Sequence, residues 1–166
     1  MPVPYNINKI MRSCERKNNR CLNFDYDSGG YYFLTICMRN RRNFFGVIED
    51  GQMYLTDFGI LANELWNEIS NHYSRVILDD YIIMPDHIHA IVFIVGDRHA
   101  CPKTNRRQNQ IIPSIVGSYK SAVSKNIDKK CCFIWQKSFF DRGIRNEKEY
   151  LMIKKYIKDN PKNFGL

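Results

Sequence analysis

The amino-acid sequence predicts an α+β domain in which an antiparallel β-sheet has helices packed on it. Predicted strands and helices alternate irregularly, and several strands follow one another without a helix between them, which favours antiparallel pairing. Hydrophobic residues make up 44% of the 166 residues, which is enough apolar material for a core. At this length we expect one compact domain spanning residues 1–166.

The first third of the chain predicts a strand and then a hairpin. Residues 1–29 form a basic, loop-rich N-terminal segment. The aromatic and β-branched run Tyr31–Met38 predicts a buried strand. Two short runs, Phe44–Ile48 and Gln52–Leu55, flank an Asp-Gly dipeptide that is typical of two-residue hairpin turns.

The middle of the chain predicts a helix and two neighbouring strands. Apolar residues recur at helical spacing over residues 57–70, directly after a threonine that is suited to cap a helix. Strands are predicted at Val76–Met84 and Ile88–Val95, with Pro-Asp between them. Residues 96–111 are polar, basic and rich in turn formers, which predicts a mobile loop.

The last third predicts a helix, a short strand and a final helix. The pattern at Ser114–Asn126 is helical, and Phe133–Gln136 predicts the short strand. The final helix, Asn146–Asn160, begins with a pattern resembling a capping box and is ended by the proline that follows.

Charge is segregated along the chain. There are 25 Lys plus Arg against 17 Asp plus Glu, a net charge of +8. Residues 46–97 nevertheless hold nine acidic residues and one basic residue. Such segregation is compatible with one face for a polyanion such as nucleic acid, and equally with an ordinary solvated surface.

Composition and apolar run lengths argue against several protein classes. No apolar run is long enough to span a membrane, and no secretory signal is visible, so we expect a cytoplasmic protein. The six cysteines are then best interpreted as reduced thiols. Because no CxxC spacing occurs, the sequence does not favour a cysteine-based zinc site.

Two histidines in the segment MPDHIHAIV form a candidate metal site. His87 and His89 are two residues apart on a predicted strand, so their side chains point to one face and can converge on a divalent ion. The alternative is a pair of polar residues on the wet face of a half-buried strand. Asp86 either orients the imidazole of His87 or only completes the turn after the proline.

The final helix carries a tyrosine and an asparagine that extend this hypothesis. Tyr156 and Asn160 are four residues apart and lie on one helix face. The amide oxygen can complete a two-histidine site, and the phenol can attack a phosphodiester bound there. A packed tyrosine and a simple helix end are the structural alternative. Tyr150 is the rival nucleophile, but it lacks an asparagine one turn later.

Four segments together resemble the single-tyrosine HUH transposases of the insertion sequence 200/605 type, and most closely the REP-associated tyrosine transposases. The resemblance covers about residues 20–165. The segments are YYFLTICMRNRRNFFG, VILDDYIIMPDHIHAIVFI, SIVGSYKSAVSKNI and IWQKSFFDRGIRNEKEYLMIKKYIKDNPKNF.

The resemblance implies a fold, a reaction and a cofactor. The fold is a central antiparallel sheet with helices, related to the ferredoxin-like and RRM-like architectures. The reaction is cleavage of single-stranded or hairpin DNA, with a 5′-phosphotyrosine intermediate, a free 3′-hydroxyl and subsequent strand transfer. Tyr156 would be the nucleophile, and His87, His89 and Asn160 would hold Mg²⁺ or Mn²⁺. The family includes both monomers and homodimers, so the oligomeric state stays open.

Basic residues near the predicted site are candidates for phosphate contacts. The candidates are Arg39, Arg41, Arg42, Lys120, Arg142 and Arg145. The alternative to a transposase is a non-catalytic module that binds single-stranded nucleic acid on an RRM-like sheet and has no need of Tyr156. A cellular nickase descended from a transposase would have the same site residues, so the sequence does not separate it from a mobile-element enzyme.

Overall fold

A computed structural model of the chain describes residues 29–96, 111–127 and 134–164. The predicted N-terminal segment and nearly all of the predicted loop at 96–111 therefore lie outside the described residues. Among those described, a four-stranded antiparallel sheet forms the centre of the fold, with the strand order β4-β5-β1-β6. Its strands are β1 (Gly30–Cys37), β4 (Val76–Ile83), β5 (His87–Ile94) and β6 (Phe140–Gly143). The predicted α+β class is confirmed.

The remaining elements of the described ranges are a separate hairpin and four α-helices. The hairpin pairs β2 (Gly46–Glu49) with β3 (Gln52–Leu55). Asp50 and Gly51 both have positive φ, of 50° and 72°, as the two central residues of such a tight turn require. The helices are α1 (Asp57–Asn67), α2 (Ile69–His72), α3 (Ile111–Asn126) and α4 (Glu147–Asp159), and 3₁₀ turns lie at Arg39–Arg41 and Pro161–Asn163.

The predicted elements match these bounds closely, with two differences. Helix α3 starts at Ile111, before Pro113, because a proline is tolerated in the first turn of a helix. Of the short strand predicted at Phe133–Gln136, the described residues, which begin at Ile134, form only one isolated bridge, between Trp135 and Met38. The strand that completes the sheet is instead β6, whose Phe-Asp-Arg-Gly sequence has no strand-like apolar pattern.

The sheet has two faces with different coverings. Alternate residues of β1 such as Tyr32, Leu34 and Ile36 face the larger core, where Trp66 of α1 and Tyr119 of α3 pack. The residues between them face α4, whose Ile153 and Ile157 pack on Phe33 and Ile91. Since residues two apart on a strand share a face, His87 and His89 lie on the side that α4 covers.

Helix α4 begins at a well-formed cap. The side chain of Asn146 accepts a hydrogen bond from the backbone N–H of Glu149 at 2.9 Å. The carboxylate of Glu149 in turn accepts from the backbone N–H of Arg145 and forms an ion pair with Arg142. The predicted capping pattern therefore forms, and it ties the start of α4 to β6.

A polar cluster fastens α4 to the other edge of the sheet. The register of β4 against β5 shifts between Leu78 and Tyr81, which marks a β-bulge at Asp79 and Asp80. Asp79 accepts hydrogen bonds from the hydroxyl of Tyr150 at 2.5 Å and from Lys154 Nζ at 3.2 Å. We call Asp79, Asp80, Tyr150 and Lys154 the bulge anchor. None of the helices in the described ranges has both the length and the apolar character that crossing a bilayer requires.

We expect the interface under α4 to carry a large part of the stability. Ile91 is 0% exposed beneath α4, whereas Ile77, on the same face of the sheet, is 53% exposed. Ile91→Ala should lower the free energy of unfolding by about 2–5 kcal/mol, because it leaves a cavity in a packed core. Ile77→Ala, the matched control, should cost about 1 kcal/mol or less. Urea denaturation of both variants measures the difference, and equal losses would contradict this account of the packing.

Candidate active site

The candidate site lies at the start of β5, on the face covered by α4. His87 and His89 are both buried, and their ring centroids are 4.4 Å apart. In the antiparallel register, Cys37 of β1 is opposite His87 and Thr35 is opposite His89. The two imidazoles therefore share one small region of the sheet, as the His-x-His spacing predicts.

Backbone hydrogen bonds fix the turn that leads into the histidines. The carbonyl oxygen of Pro85 accepts from Phe44 N at 2.8 Å and from Phe45 N at 3.0 Å. The carbonyl oxygen of Asp86 accepts from Met38 N at 2.8 Å. The Pro-Asp turn is thus held by the segment that follows β1, and the first histidine of β5 starts from a defined position.

Each histidine has a polar partner at Nδ1. A carboxylate oxygen of Asp86 lies 2.5 Å from His87 Nδ1, and Thr35 Oγ1 lies 2.9 Å from His89 Nδ1. A partner at Nδ1 fixes the ring orientation and leaves Nε2 for another ligand, which is the arrangement seen around metal-bound histidines. Of the two roles considered for Asp86, the structure favours orientation of His87.

Tyr156 reaches the histidines from α4 of the same chain. Its hydroxyl lies 3.3 Å from His89 Nε2, and its half-buried ring packs edge-on against Phe33 with centroids 6.3 Å apart. Asn160 is buried at the end of the helix. Residues before proline usually leave the helical region, but Asn160 keeps helical dihedrals, φ −57° and ψ −43°, which holds its amide one turn beyond Tyr156.

Burial controls the protonation of the site. Burial lowers the pKa of His89 well below its ordinary value, and the charges of His87 and Arg41 act in the same direction. His89 is therefore neutral at pH 7, which is the form of imidazole that binds metal ions. Burial also raises the pKa of Tyr156, partly offset by a hydrogen bond with the Asn160 side chain and by the charge of Arg41.

The side chains of His87, His89 and Asn160 suit a divalent ion, although they do not form the usual metal-binding cluster of three or more His, Cys, Asp or Glu residues. Within the described ranges, no three His, Cys, Asp or Glu side chains converge into a metal-binding group. The set predicted from the sequence is different, since it joins two imidazoles to the amide oxygen of Asn160. Nδ1 partners on both rings and a buried amide beside Tyr156 fit that set.

The predicted phosphate-contacting residues are distributed unevenly. Arg39, Arg41 and Arg42 are exposed in the turn after β1, and Arg41 Nε lies 3.3 Å from Asp86 beside the site. Arg142 lies in β6 and pairs with Glu149 of α4, and Arg145 lies just before α4, where its backbone N–H donates to the same carboxylate. Lys120 lies on α3, on the opposite side of the sheet, where its Nζ donates to the carbonyl oxygens of Gln136 and Ser138.

Three contributors to the site were missed by the sequence analysis. Thr35 is the partner of His89, Cys37 lies across from His87, and the ring of Phe164 stacks on His87 with centroids 6.3 Å apart. The available signal for Thr35 was a polar residue within the apolar run YYFLTICM. Its partner depends on strand register, which a single sequence does not give.

Comparison with known proteins supports a transposase relationship. An uncharacterised protein of Haemophilus influenzae is 33% identical over 158 residues, covering 88% of each chain. A second protein of that organism, named "Putative REP-associated tyrosine transposase", is 25% identical over 153 residues, covering 85% of this chain and 75% of its own. No family model matches the chain.

The fold also matches a solved structure of a REP-associated tyrosine transposase bound to a REP hairpin. The TM-score is 0.62 at 22% sequence identity, and the match covers 86% of this chain and 72% of the other. At this level of identity the match establishes a common fold.

We expect the buried His89 to make stability depend on pH. Below about pH 6.5 the unfolded chain binds a proton at this histidine, while the folded protein, whose His89 pKa is lowered by burial, does not. The free energy of unfolding should therefore fall as pH decreases from 7 to 5, by up to about 1.4 kcal/mol per pH unit from this group. Urea denaturation across this range measures the slope.

A pair of variants isolates the contribution of His89. His89→Gln should flatten the slope, whereas His72→Gln, at an exposed position on α2, should keep it. Identical slopes in both variants would show that His89 is not the group responsible.

Proposed function

We propose that the chain is a member of the single-tyrosine transposase family, most like its REP-associated branch, and that it cleaves and rejoins single-stranded DNA with Tyr156 as nucleophile. The observation that carries this proposal is the distance of 3.3 Å between the Tyr156 hydroxyl and His89 Nε2. A phenol beside two oriented imidazoles and a buried amide has the groups needed to attack a bound phosphodiester.

The proposed reaction exchanges one phosphodiester for another. Tyr156 Oη forms a bond to phosphorus, the bond from phosphorus to the 3′-oxygen breaks, and the strand is left with a 5′-phosphotyrosine link and a free 3′-hydroxyl. The phenol proton passes to water, and the leaving 3′-oxygen takes a proton from water. Attack by a second 3′-hydroxyl reverses these steps and releases Tyr156, which completes strand transfer.

His87, His89 and Asn160 are the residues that would hold the divalent ion, Mg²⁺ or Mn²⁺. When bound, such an ion withdraws charge from the scissile phosphate and favours the ionised form of a nearby nucleophile. Asp86 and Thr35 contact Nδ1 of His87 and His89, and so leave Nε2 of each ring to bind the ion. This assistance matters because burial raises the pKa of Tyr156, so the phenol does not ionise readily at neutral pH.

Hairpin-forming DNA is the proposed substrate. The structural neighbour was solved with a REP hairpin, and the exposed Arg39 and Arg42 beside the site suit contacts with a phosphate backbone. We propose that it acts on such DNA in the bacterial cytoplasm. The segregated positive charge of the sequence is compatible with this partner.

A covalent adduct tests the nucleophile directly. Wild-type protein incubated with labelled single-stranded hairpin DNA and Mn²⁺ should give a protein–DNA band on a denaturing gel, and chelator should abolish it. Tyr156→Phe should give no band, since the attacking oxygen is gone. Tyr150→Phe should still give the band, because that hydroxyl is hydrogen-bonded to Asp79 in the bulge anchor. DNA binding without any adduct, across a pool of hairpins, would favour the binding-module alternative.

We also expect the site to be complete within one chain, because Tyr156 contacts the histidine of its own sheet. Mixing Tyr156→Phe with His89→Ala protein should therefore not restore the adduct. As a control, wild type is mixed with each variant at the same total protein concentration, which gives the amount of adduct expected when half of the chains are intact. Recovery of the adduct in the mixture of the two variants would instead indicate a dimer that exchanges α4 between subunits.

A further inference from the structure

The turn after β1 contains two consecutive residues in an unfavourable backbone conformation. Asn40 and Arg41 have φ of 57° and 51°, in the left-handed region that non-glycine residues rarely occupy. The next residue, Arg42, returns to an extended conformation with φ −71° and ψ 133°. Arg41 thus lies in the strained part of the turn, and Arg42 follows it in extended backbone.

Backbone contacts on both sides hold this turn in place. Arg39 N donates to the carbonyl oxygen of Ile134 at 2.7 Å, and Met38 N donates to that of Asp86 at 2.8 Å. Arg41 N closes the turn on the carbonyl oxygen of Met38 at 3.3 Å. Strained backbone that is held so firmly is frequent where a side chain must be presented to a functional site.

The guanidinium of Arg41 lies at the edge of the candidate site. Its Nε is 3.3 Å from one carboxylate oxygen of Asp86, whose other oxygen contacts His87. Its Nη1 donates to the sulfur of Cys37 at 3.3 Å, and Cys37 is opposite His87 in the sheet. The side chain is still 49% exposed, so a substrate has access to it.

Two contacts leave part of the guanidinium's donor capacity available. Asp86 and Cys37 engage Nε and Nη1, and no other side-chain partner of Arg41 occurs in the part of the chain that the structure describes. A guanidinium carries five N–H donors in a fixed planar fork that matches phosphate oxygens. The remaining donors belong to a guanidinium that is held beside Asp86 and His87 at the edge of the candidate site.

We propose that Arg41 is a catalytic residue that binds a non-bridging oxygen of the scissile phosphate and stabilises the charge that develops there during attack by Tyr156. This inference rests on the proposed function and adds a distinct role for one arginine of the turn. Asp86 then serves two groups, since it orients His87 and fixes the guanidinium. Preorganised donors aimed at developing charge are typically worth a factor of about 10²–10³ in rate.

The first measurement is the single-turnover rate constant of adduct formation at saturating hairpin DNA. Arg41→Met should lower this rate constant by about 100-fold. Arg41→Lys should recover part of the loss, because lysine keeps the positive charge but lacks the planar pair of N–H donors. The control is Lys155→Met, which removes one positive charge from an exposed position on α4 and should leave the rate within about threefold of wild type. Circular dichroism and thermal unfolding establish that each variant is folded.

A neutral substrate separates a direct role from an indirect one. With a methylphosphonate at the scissile position, the phosphate has no negative charge before attack, and less negative charge develops on its non-bridging oxygen during attack. The penalty for Arg41→Met should then shrink to a few-fold if the guanidinium acts on the phosphate. An unchanged penalty on both substrates would overturn the proposal, because it would mean that Arg41 acts only by positioning His87 through Asp86.

A double-mutant cycle gives an independent check with natural DNA. If Arg41 acts only through Asp86, then Arg41→Met should cost nothing further in an Asp86→Asn background, and that result would also overturn the proposal. A penalty that persists in this background supports it. Absence of any adduct from wild type would refute the proposed function itself, whereas an adduct that is unaffected by Arg41→Met would refute this inference alone.

Discussion

The candidate site depends on one constraint, the antiparallel register between β1 and β5. That register sets Thr35 opposite His89 and Cys37 opposite His87. A slip of one residue would turn both histidines toward the larger core, because side chains alternate between the faces of a strand. The register is strongly determined, since each strand has apolar residues on both faces and each face is covered by helices. Packing on both sides therefore fixes the position of the polar residues between them.

The second requirement is that α4 meets the sheet in a defined position, and contacts of two kinds supply it. Ile153 and Ile157 pack on Phe33 and Ile91. This hydrophobic contact holds α4 against the sheet, but it is not directional and does not by itself fix the position of the helix along the sheet. The bulge anchor is directional, because Tyr150 and Lys154 donate to the carboxylates of β4. The bulge brings two consecutive acidic residues to this point of the strand. On α4, Tyr156 lies six residues after Tyr150 and two after Lys154, so contacts outside the site itself help to set its distance from His89.

The sequence predicted most of the elements because their signals are local. Helical spacing, the Asp-Gly turn and the Asn146 cap each depend on residues close together in the chain, and each forms as expected. The prediction failed where structure depends on distant pairing. β6 is a short strand of polar and aromatic residues that exists because it pairs with β1. Lys120, one of the candidates for phosphate contact, lies on α3, which covers the face of the sheet away from the candidate site, and a single sequence does not reveal which face a helix covers.

Several acidic residues of the segment 46–97 form ion pairs with other segments, which the net charge of the segment does not reveal. Residues 46–97 hold nine acidic residues and one basic residue, which by itself indicates a solvated face turned away from a polyanion. Three of those acidic residues instead contact cations or donors from other segments. Asp86 joins Arg41 to His87, and Asp79 and Asp80 hold Lys154. The segment therefore supplies the carboxylates that orient the candidate metal ligand and fasten the tyrosine helix, while basic residues from the neighbouring segments complete each pair. Opposite charges that are far apart in sequence are thus paired at the two places that hold the site rigid. The proposed chemistry depends on these ion pairs more than on the net charge of the chain.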